Sequence, residues 1–323
     1  MNYLLIAVLL LILELFYFRI ADKFNIIDKP NLRSSHTHIT LRGGGIIFLL
    51  GMWLYAFFYG IQYPYFLLAL TLIAGVSFID DVHSVPNKVR LIIQFVAMFL
   101  LFHEWGILTF SNWWIIIIAL ILCVGIINAF NFMDGINGIT GCYSLAVLLP
   151  LWILNLSLHF IDTNLLVVAM ISVGVFSIFN FRKCAKCFSG DVGAIGIAFI
   201  LIFAIGSLIM KTGDFSYIFL LTVYGVDTIL TIIHRILLHE NIGVAHRKHA
   251  FQIMANELKI PHVIVSSIYM ILQLLISAGL IWFPWNSWIY CISVAIVMTI
   301  AYILFMKRYY CLHVAYLNNK NKE

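Results

Sequence analysis

Long apolar stretches without a single charge constrain this sequence more than any other feature. Residues 43–79 and 260–306 contain no Asp, Glu, Lys or Arg, and residues 105–133 and 135–161 are equally free of charge. A helix of about 20 apolar residues crosses the ~30 Å hydrocarbon core of a bilayer, because its backbone hydrogen bonds are satisfied internally. The two longest stretches must therefore fold back and cross a membrane more than once.

The composition agrees with this interpretation. Hydrophobic residues make up 63% of the 323 residues, charged residues 10%, and the mean hydropathy is +1.04, which leaves too little polar surface to cover a soluble globule. The sequence therefore predicts an all-α, polytopic helix bundle in a single domain, residues 1–323, with about 10 to 11 transmembrane helices. Turn residues and charges place eleven spans near residues 3–20, 43–60, 64–79, 91–106, 112–128, 139–157, 164–181, 192–210, 216–236, 262–283 and 288–306.

The distribution of basic residues predicts the orientation of these spans. Eighteen of the nineteen Lys and Arg residues fall in one set of alternate loops, and the opposite set holds only Lys211. Short cytoplasmic loops retain Lys and Arg. We therefore expect a multi-pass protein of the inner (plasma) membrane, with its N-terminus outside, its C-terminus in the cytoplasm and its polar segments on the cytoplasmic side.

The first two predicted cytoplasmic segments collect charged residues beside the spans. The segment IIDKPNLRSSHTHITLRGGG includes Arg33, His36 and Arg42, and it suits either an anion site near a helix N-terminus or an ordinary positively charged loop. The second segment has Asp80 and Asp81 at the end of an apolar helix. Adjacent carboxylates are costly there unless they bind a cation or a base. The pair predicts a metal or catalytic role, with helix capping as the alternative.

The next two segments also place polar residues where spans begin or end. Four of these residues recur at intervals of three in NAFNFMDGINGITG: Asn128, Asn131, Asp134 and Asn137. Neighbours at this spacing could present amides and a carboxylate to one polar ligand, whereas helix capping explains only one of the four. Asp191 follows, between two glycines at the start of a span. It either complements the helix dipole or ligates a magnesium ion that holds phosphates.

The last segment combines a deep carboxylate with a histidine pair. Asp227 is predicted about two turns inside a span, where a carboxylate is a functional candidate by default. Beyond it, HRKHAFQ separates His246 from His249 by three residues, with Arg247 and Lys248 between them. An HxxH pair can bind zinc, but no third soft ligand is near. Arg247 and Lys248 therefore favour the binding of an anion such as phosphate over that of a metal ion.

In order along the chain, these segments resemble the polyprenyl-phosphate N-acetylhexosamine-1-phosphate transferase superfamily, which includes the phospho-MurNAc-pentapeptide translocase and bacterial undecaprenyl-phosphate GlcNAc-1-phosphate transferases. The motifs that carry the resemblance span nearly the whole chain: DKPNLRSSH with TLRGGG, DD with a following Pro and RLIIQ, NFMDGINGI, GDVGAIGIAF and HRKHAFQ. The resemblance implies transfer of an N-acetylhexosamine 1-phosphate from a UDP-sugar to undecaprenyl (polyprenyl) phosphate with release of UMP. Such a step begins a lipid-linked cell-envelope glycan, and the HRKHAFQ form is similar to that of O-antigen enzymes of lipopolysaccharide synthesis.

The resemblance also implies roles for individual residues. Asp80 and Asp81 match the catalytic centre, and Asp191 matches the ligand of Mg²⁺, for which Mn²⁺ is an expected substitute. UDP-sugar, polyprenyl phosphate and inner-membrane lipid are the expected partners, a homodimer is left open, and no nucleic acid is expected. Two positions depart from the family pattern and leave the sugar open, Asn137 in place of Asp and Gly225 in place of Pro. With the residue patterns above, nucleotide-sugar or phosphate binding is expected at Asn131, Asp134, Asn137, Arg42, Asp227, His246, Arg247 and His249.

A membrane transporter of an anionic substrate is the main alternative, because it too would be an apolar bundle with carboxylates inside the membrane. A transporter would place its binding groups near the midplane in repeated halves, whereas here the polar residues cluster on one side. A glycosyltransferase that works outside the cell would need its acidic motif on an outward loop, which the distribution of basic residues disfavours.

Overall fold

The structure, a computed structural model, describes residues 2–30, 35, 38–108, 113–241, 246–283 and 286–320, with side chains as far as residue 316. Arg33 and His36 of the first polar segment lie outside the described residues. A 3₁₀ helix spans Phe215–Leu221. The α-helices are α1 Asn2–Lys23, α2 Ile46–Tyr59, α3 Pro64–Val82, α4 Asn87–Glu104, α5 Trp113–Met133, α6 Ile139–Leu158, α7 Thr163–Asn180, α8 Gly190–Thr212, α9 Thr222–Leu237, α10 Ala250–Asn256, α11 His262–Trp282 and α12 Ser287–Lys320.

Within the described ranges, nine helical segments are long and apolar enough to cross a membrane, which confirms an all-α, polytopic membrane protein. Each of the eleven predicted spans coincides with helix, but α2 and α4 are not among the nine segments that are long and apolar enough to cross a membrane. The 14 residues of α2 extend only about 21 Å. Helix α4 begins with Lys88 and Arg90 and ends with Glu104.

The central element of the bundle is α8. Seventeen of its 23 residues are buried, and it packs against α2, α3, α5 and α6. A helix that is hydrophobic all round belongs in the interior. Small residues allow this close packing, since a Cβ atom at Gly193 would lie 2.6 Å from the Cα atom of Gly45. The N-terminus of α8, with Asp191 in its first turn, is therefore surrounded by other helices.

A short backbone ladder fixes the loop that carries Arg42. Strand β1 (Ile27–Asp28) pairs antiparallel with β2 (Thr40–Leu41), and Leu41 also forms a parallel bridge with Cys187. Two further backbone hydrogen bonds, of 2.9 and 3.0 Å, join the glycines after Arg42 to the residues just before α8. The ladder holds Arg42 beside the N-terminus of α8.

Candidate active site

Polar side chains from four segments converge at the N-terminus of α8. Asp80 and Asp81 come from the last turn of α3, Arg42 from the loop before α2, Asn131 from α5 and Asp191 from α8 itself. Side-chain hydrogen bonds join Arg42 to Asp81 and to Asp191, and Asn131 to Asp191. The structure thus brings together five residues that the sequence predicted as site residues.

Asp81 caps α8 from a different helix. Its carboxylate accepts hydrogen bonds from the backbone N–H of Asp191 at 2.8 Å and of Val192 at 3.0 Å, and its side chain is fully buried. The first N–H groups of a helix lack intrahelical partners and carry the positive end of the helix dipole, so they favour a carboxylate there. Asp81 thereby sets the position of Asp191, whereas Asp80 accepts a backbone hydrogen bond from Val85 in its own segment.

Two arginines bridge the carboxylates. Arg42 donates from Nε to Asp81 at 2.6 Å and from Nη2 to Asp191 at 3.1 Å. Arg90 lies 2.8 Å from Asp80 and 2.7 Å from Asp191, through its two Nη atoms. A planar guanidinium can contact two carboxylates at once. Burial alone would lower the pKa of Arg42, but the carboxylates of Asp81 and Asp191 outweigh burial and raise that pKa.

Arg90 is a site residue that the sequence analysis missed, because it was counted only as one of the basic residues that indicate orientation. The available signal was its place in RLIIQ, one of the motifs that carry the family resemblance. Arg90 lies in the first turn of α4, and the loop from α3 to α4 is only four residues long. A loop this short returns Arg90 to the end of α3, where Asp80 and Asp81 lie.

The end of α5 contributes an amide, and the segment between α5 and α6 contributes a carboxylate. Asn131 donates to Asp191 at 3.3 Å. Asp134 accepts a hydrogen bond from Thr140 Oγ1 at 2.6 Å and another from the hydroxyl of Ser189, the residue before α8. Burial raises the pKa of Asp134 in spite of these two hydrogen bonds. Asp134 thus joins this segment to the start of α8.

Asn137 lies apart from the acidic residues. Its Nδ2 donates to the backbone carbonyls of Arg182 at 3.0 Å and Lys183 at 3.2 Å. Its backbone carbonyl accepts a hydrogen bond from the hydroxyl of Ser266. Its Oδ1 is buried without a hydrogen-bond partner among the described residues. In this conformation Asn137 ties two loops together, and its contact with a nucleotide-sugar stays a prediction.

The chemistry of the acidic residues suits a hard divalent cation. Asp80, Asp81 and Asp191 offer only carboxylate oxygens, the donors that Mg²⁺ prefers, and these three carboxyl groups outnumber the two guanidiniums of Arg42 and Arg90. Asp191 has the most exposed side chain of the three, 14% against 9% and 0%. No three His, Cys, Asp or Glu side chains within the described ranges form a complete metal site. Asp191 is therefore the carboxylate best placed to add a cation.

A second group of charges surrounds residues 246–249, the histidine loop. Arg247 Nη2 lies 3.0 Å from Glu257 Oε1, and Lys248 forms an ion pair with Glu240. The sequence predicted Arg247 as a phosphate contact. In this conformation Arg247 is already paired with the carboxylate of Glu257.

Asp227 orients the last histidine of this loop. One of its oxygens accepts from His249 Nδ1 at 3.2 Å and from the N–H of Ala250 at 3.1 Å, and the other accepts from Tyr269 at 2.6 Å. The buried atoms Nε2 of His249 and Nδ1 of His246 have no hydrogen-bond partner among the described residues. Burial, aided by nearby cations, lowers the pKa of His246 to about 3. The loop can therefore bind a ligand through these two imidazole nitrogens, and the carboxylate of Asp227 fixes the orientation of His249.

The histidine loop and the acidic residues meet at the segment that contains Asp134. A Cβ atom at Gly135 would lie 3.1 Å from the ring of Phe251 and 3.2 Å from Nε2 of Gln252, so the start of α10 packs directly against this segment. The segment that contains Asp134 therefore contacts both the start of α8, through Ser189, and the start of α10, which follows the histidine loop.

Comparisons with known proteins find sequence similarity to one group of transferases. Residues 63–209, which include the acidic residues but neither Arg42 nor the histidine loop, match the model of glycosyl transferase family 4. The probable undecaprenyl-phosphate N-acetylglucosaminyl 1-phosphate transferase of Bacillus subtilis (strain 168) is 28% identical over 253 residues, which cover 72% of this chain and 70% of that protein.

Two phospho-N-acetylmuramoyl-pentapeptide-transferases are also similar. That of Thermotoga neapolitana is 31% identical over 147 residues, 45% of this chain and 47% of that protein. That of Dictyoglomus thermophilum is 27% identical over 203 residues, 56% of this chain and 61% of that protein. The matches to these two relatives thus span about half of their length or slightly more. With the membrane bundle and the order of its polar segments, these matches show that the chain is similar to members of the polyprenyl-phosphate N-acetylhexosamine-1-phosphate transferase superfamily.

Proposed function

We propose that this protein transfers an N-acetylhexosamine 1-phosphate from a UDP-sugar to a polyprenyl phosphate, with release of UMP, at the cytoplasmic face of the inner membrane. The observation that carries this proposal is the group of Asp80, Asp81 and Asp191 bridged by Arg42 and Arg90 at the N-terminus of the central helix. These five residues form the acidic cluster. It has more carboxyl groups than guanidiniums, and its guanidiniums are hydrogen-bond donors suited to phosphate.

In the proposed reaction an oxygen of the lipid phosphate attacks the β-phosphorus of the UDP-sugar, and the bond from that phosphorus to the oxygen of UMP breaks. One phosphoanhydride replaces another, so the barrier lies in bringing two anions together. A magnesium ion bound by Asp191 would neutralise part of the diphosphate charge. Arg42 and Arg90 can each exchange a carboxylate for a phosphate oxygen, because a guanidinium binds both in the same geometry.

The two aspartates of α3 have different roles in this proposal. Both oxygens of Asp81 accept hydrogen bonds from the backbone at the start of α8, so its part is to position Asp191. The side chain of Asp80 is slightly exposed, 9% against 0% for Asp81. Asp80 is therefore the better candidate to accept a proton from the lipid phosphate monoester, whose second pKa is about 6.

The position of the acidic cluster supports catalysis at the interface over transport. Asp80 and Asp81 lie in the last turn of α3, and Asp191 lies in the first turn of α8. A transporter would place such residues near the bilayer midplane. A transferase with one lipid substrate and one water-soluble substrate needs them at helix ends, beside the headgroups.

The test is an assay of purified protein with magnesium, undecaprenyl phosphate and a panel of UDP-N-acetylhexosamines, in which release of UMP is measured. We expect release that requires both substrates, that stops when magnesium is chelated, and that resumes when Mg²⁺ or Mn²⁺ is added. Absence of release with every sugar, or release that continues without the lipid, would contradict the proposal. The panel also identifies the sugar, which Asn137 and Gly225 leave open.

A further inference from the structure

Helix α12 continues well past the apolar run that the sequence predicted as a span. That run was expected to end near residue 306, whereas the helix ends at Lys320. Residues 307–316, the α12 extension, expose Lys307 and Arg308 but bury His313, which is 2% exposed. A buried histidine at the polar end of a helix indicates a specific partner.

That partner is Glu257, the residue just after α10. His313 Nδ1 donates to Oε1 of Glu257 at 2.9 Å, and the same oxygen accepts from Nη2 of Arg247 at 3.0 Å. The three side chains are 3%, 4% and 11% exposed. Because the other oxygen of Glu257 is buried without a hydrogen-bond partner among the described residues, these two donors are what stabilises its charge.

Two tyrosines of the α12 extension contact the cations of the histidine loop. The guanidinium carbon of Arg247 lies 4.6 Å from the ring centroid of Tyr316, and Nζ of Lys248 lies 5.8 Å from that of Tyr310. Both distances lie within the range of a cation–π attraction. With His313, the extension therefore supports both of the consecutive cations that precede His249.

We propose that the α12 extension is a positioning element for the histidine loop, in which His313 holds Glu257 and, through it, Arg247. His313 touches no substrate atom in this proposal and is a positioning residue. The inference rests on the proposed function, because the histidine loop is taken to contact the phosphates of the UDP-sugar. It adds that the residues after the last span, which carry no motif, control the affinity for that substrate.

Loss of His313 should loosen the loop without removing any group that contacts the reacting atoms. His313→Leu leaves Glu257 with one donor instead of two, so Arg247 and the backbone around it lose their fixed position. We expect the KM for the UDP-sugar to rise about tenfold and kcat to change less than about twofold, as for residues that orient a ligand-binding group. His313→Asn, whose amide can replace the Nδ1 donor, should restore most of the affinity.

The deciding measurement is amide hydrogen exchange of residues 246–257 in the full-length protein in lipid nanodiscs, which needs no turnover. His313→Leu should speed exchange there, His313→Asn should return it towards the wild-type rate, and the control Lys307→Gln, an exposed change on the same extension, should have no effect. Tyr316→Leu, which removes the ring beside Arg247, should give a smaller increase and serves if His313→Leu does not fold.

Unchanged exchange in residues 246–257 for both His313→Leu and Tyr316→Leu would overturn the positioning role. Faster exchange with an unchanged KM would also overturn it, because the loop would then not govern substrate affinity. A wild-type protein that releases no UMP contradicts the proposed function alone, since the exchange comparison remains valid without catalysis.

Discussion

The acidic cluster and the surroundings of the histidine loop use the same residue types but reach different charge balances. The acidic cluster sets three carboxylates against two cations, Asp80, Asp81 and Asp191 against Arg42 and Arg90. The surroundings of the histidine loop set three against three, Asp227, Glu240 and Glu257 against Arg235, Arg247 and Lys248. Carboxyl groups therefore outnumber the arginines in the acidic cluster, whereas around the histidine loop the carboxyl groups equal the arginines and lysines in number.

The two regions also differ in how partners are shared. In the acidic cluster both arginines contact Asp191, so a cation or a phosphate can enter by replacing one member of a shared set. In the histidine loop Arg247 and Lys248 pair with different carboxylates, and what remains for a ligand is the imidazole nitrogens. This difference suits the acidic cluster to neutralising the charge of a bound ligand. It suits the histidine loop to forming hydrogen bonds of fixed direction with that ligand.

The largest expected effect comes from Asp191→Asn, which gives the acidic cluster the balanced charge of the histidine loop without a change of shape. Turnover should fall about 10³-fold, because the most exposed of the carboxylates proposed to bind the cation is lost. UMP release measures the loss, and helical circular dichroism should remain unchanged. Asp22→Asn, an exposed change outside both regions, is the control. Wild-type turnover in Asp191→Asn would mean that the excess of carboxylate has no catalytic purpose.

Arg90→Lys tests whether simultaneous contact with two carboxylates matters in addition to the positive charge of Arg90. Lysine keeps the positive charge but cannot contact Asp80 and Asp191 at once with a planar fork, so we expect kcat to fall about 10²-fold. Lys88→Gln changes an exposed cation in the same helical turn and should leave kcat within about twofold. Equal rates for Arg90→Lys and the wild type would show that a point charge suffices at this position.

Asp227→Asn tests the histidine loop from the other side of the comparison. The carboxylate of Asp227 orients His249 from a buried position, so its loss should raise the KM for the UDP-sugar about tenfold and leave kcat nearly unchanged. Steady-state kinetics at several concentrations of the lipid separate the two constants. A fall in kcat as large as that of Asp191→Asn would instead identify Asp227 as part of the reacting centre.

Much of this arrangement could be predicted from the sequence because it is local. Apolar length and charge predicted eleven spans, and nine of them coincide with described helical segments that are long and apolar enough to cross a membrane. The family resemblance predicted that Asp81 and Asp191 share a site. The cap that Asp81 forms on α8 could not be predicted, since it joins helices that are 110 residues apart in sequence. Glu240 and Glu257 lie outside HRKHAFQ, and no local pattern marks them as partners of its two cations. His313 was missed for the same reason, because only the tertiary fold brings it to Glu257.

The smallest expected effect concerns the protonation of His246. Burial lowers its pKa to about 3, and His249, Arg235 and Lys248 act in the same direction while Glu240 opposes them. The ordinary pKa of histidine is about 6.5, so between these values an opened loop binds more protons than the closed loop does. The closed loop is therefore fully stable above about pH 6.5 and loses stability as the pH falls.

We expect the KM for the UDP-sugar to rise about threefold between about pH 7.5 and pH 5.5, a modest change because His246 is partly exposed to solvent. His246→Gln carries no titrating group, so its KM should change less over the same range, whatever its value at neutral pH. His239→Gln, an exposed histidine just after α9, is the matched control and should keep the wild-type slope. Equal slopes for His246→Gln and the wild type would show that protonation of His246 does not control the KM for the UDP-sugar.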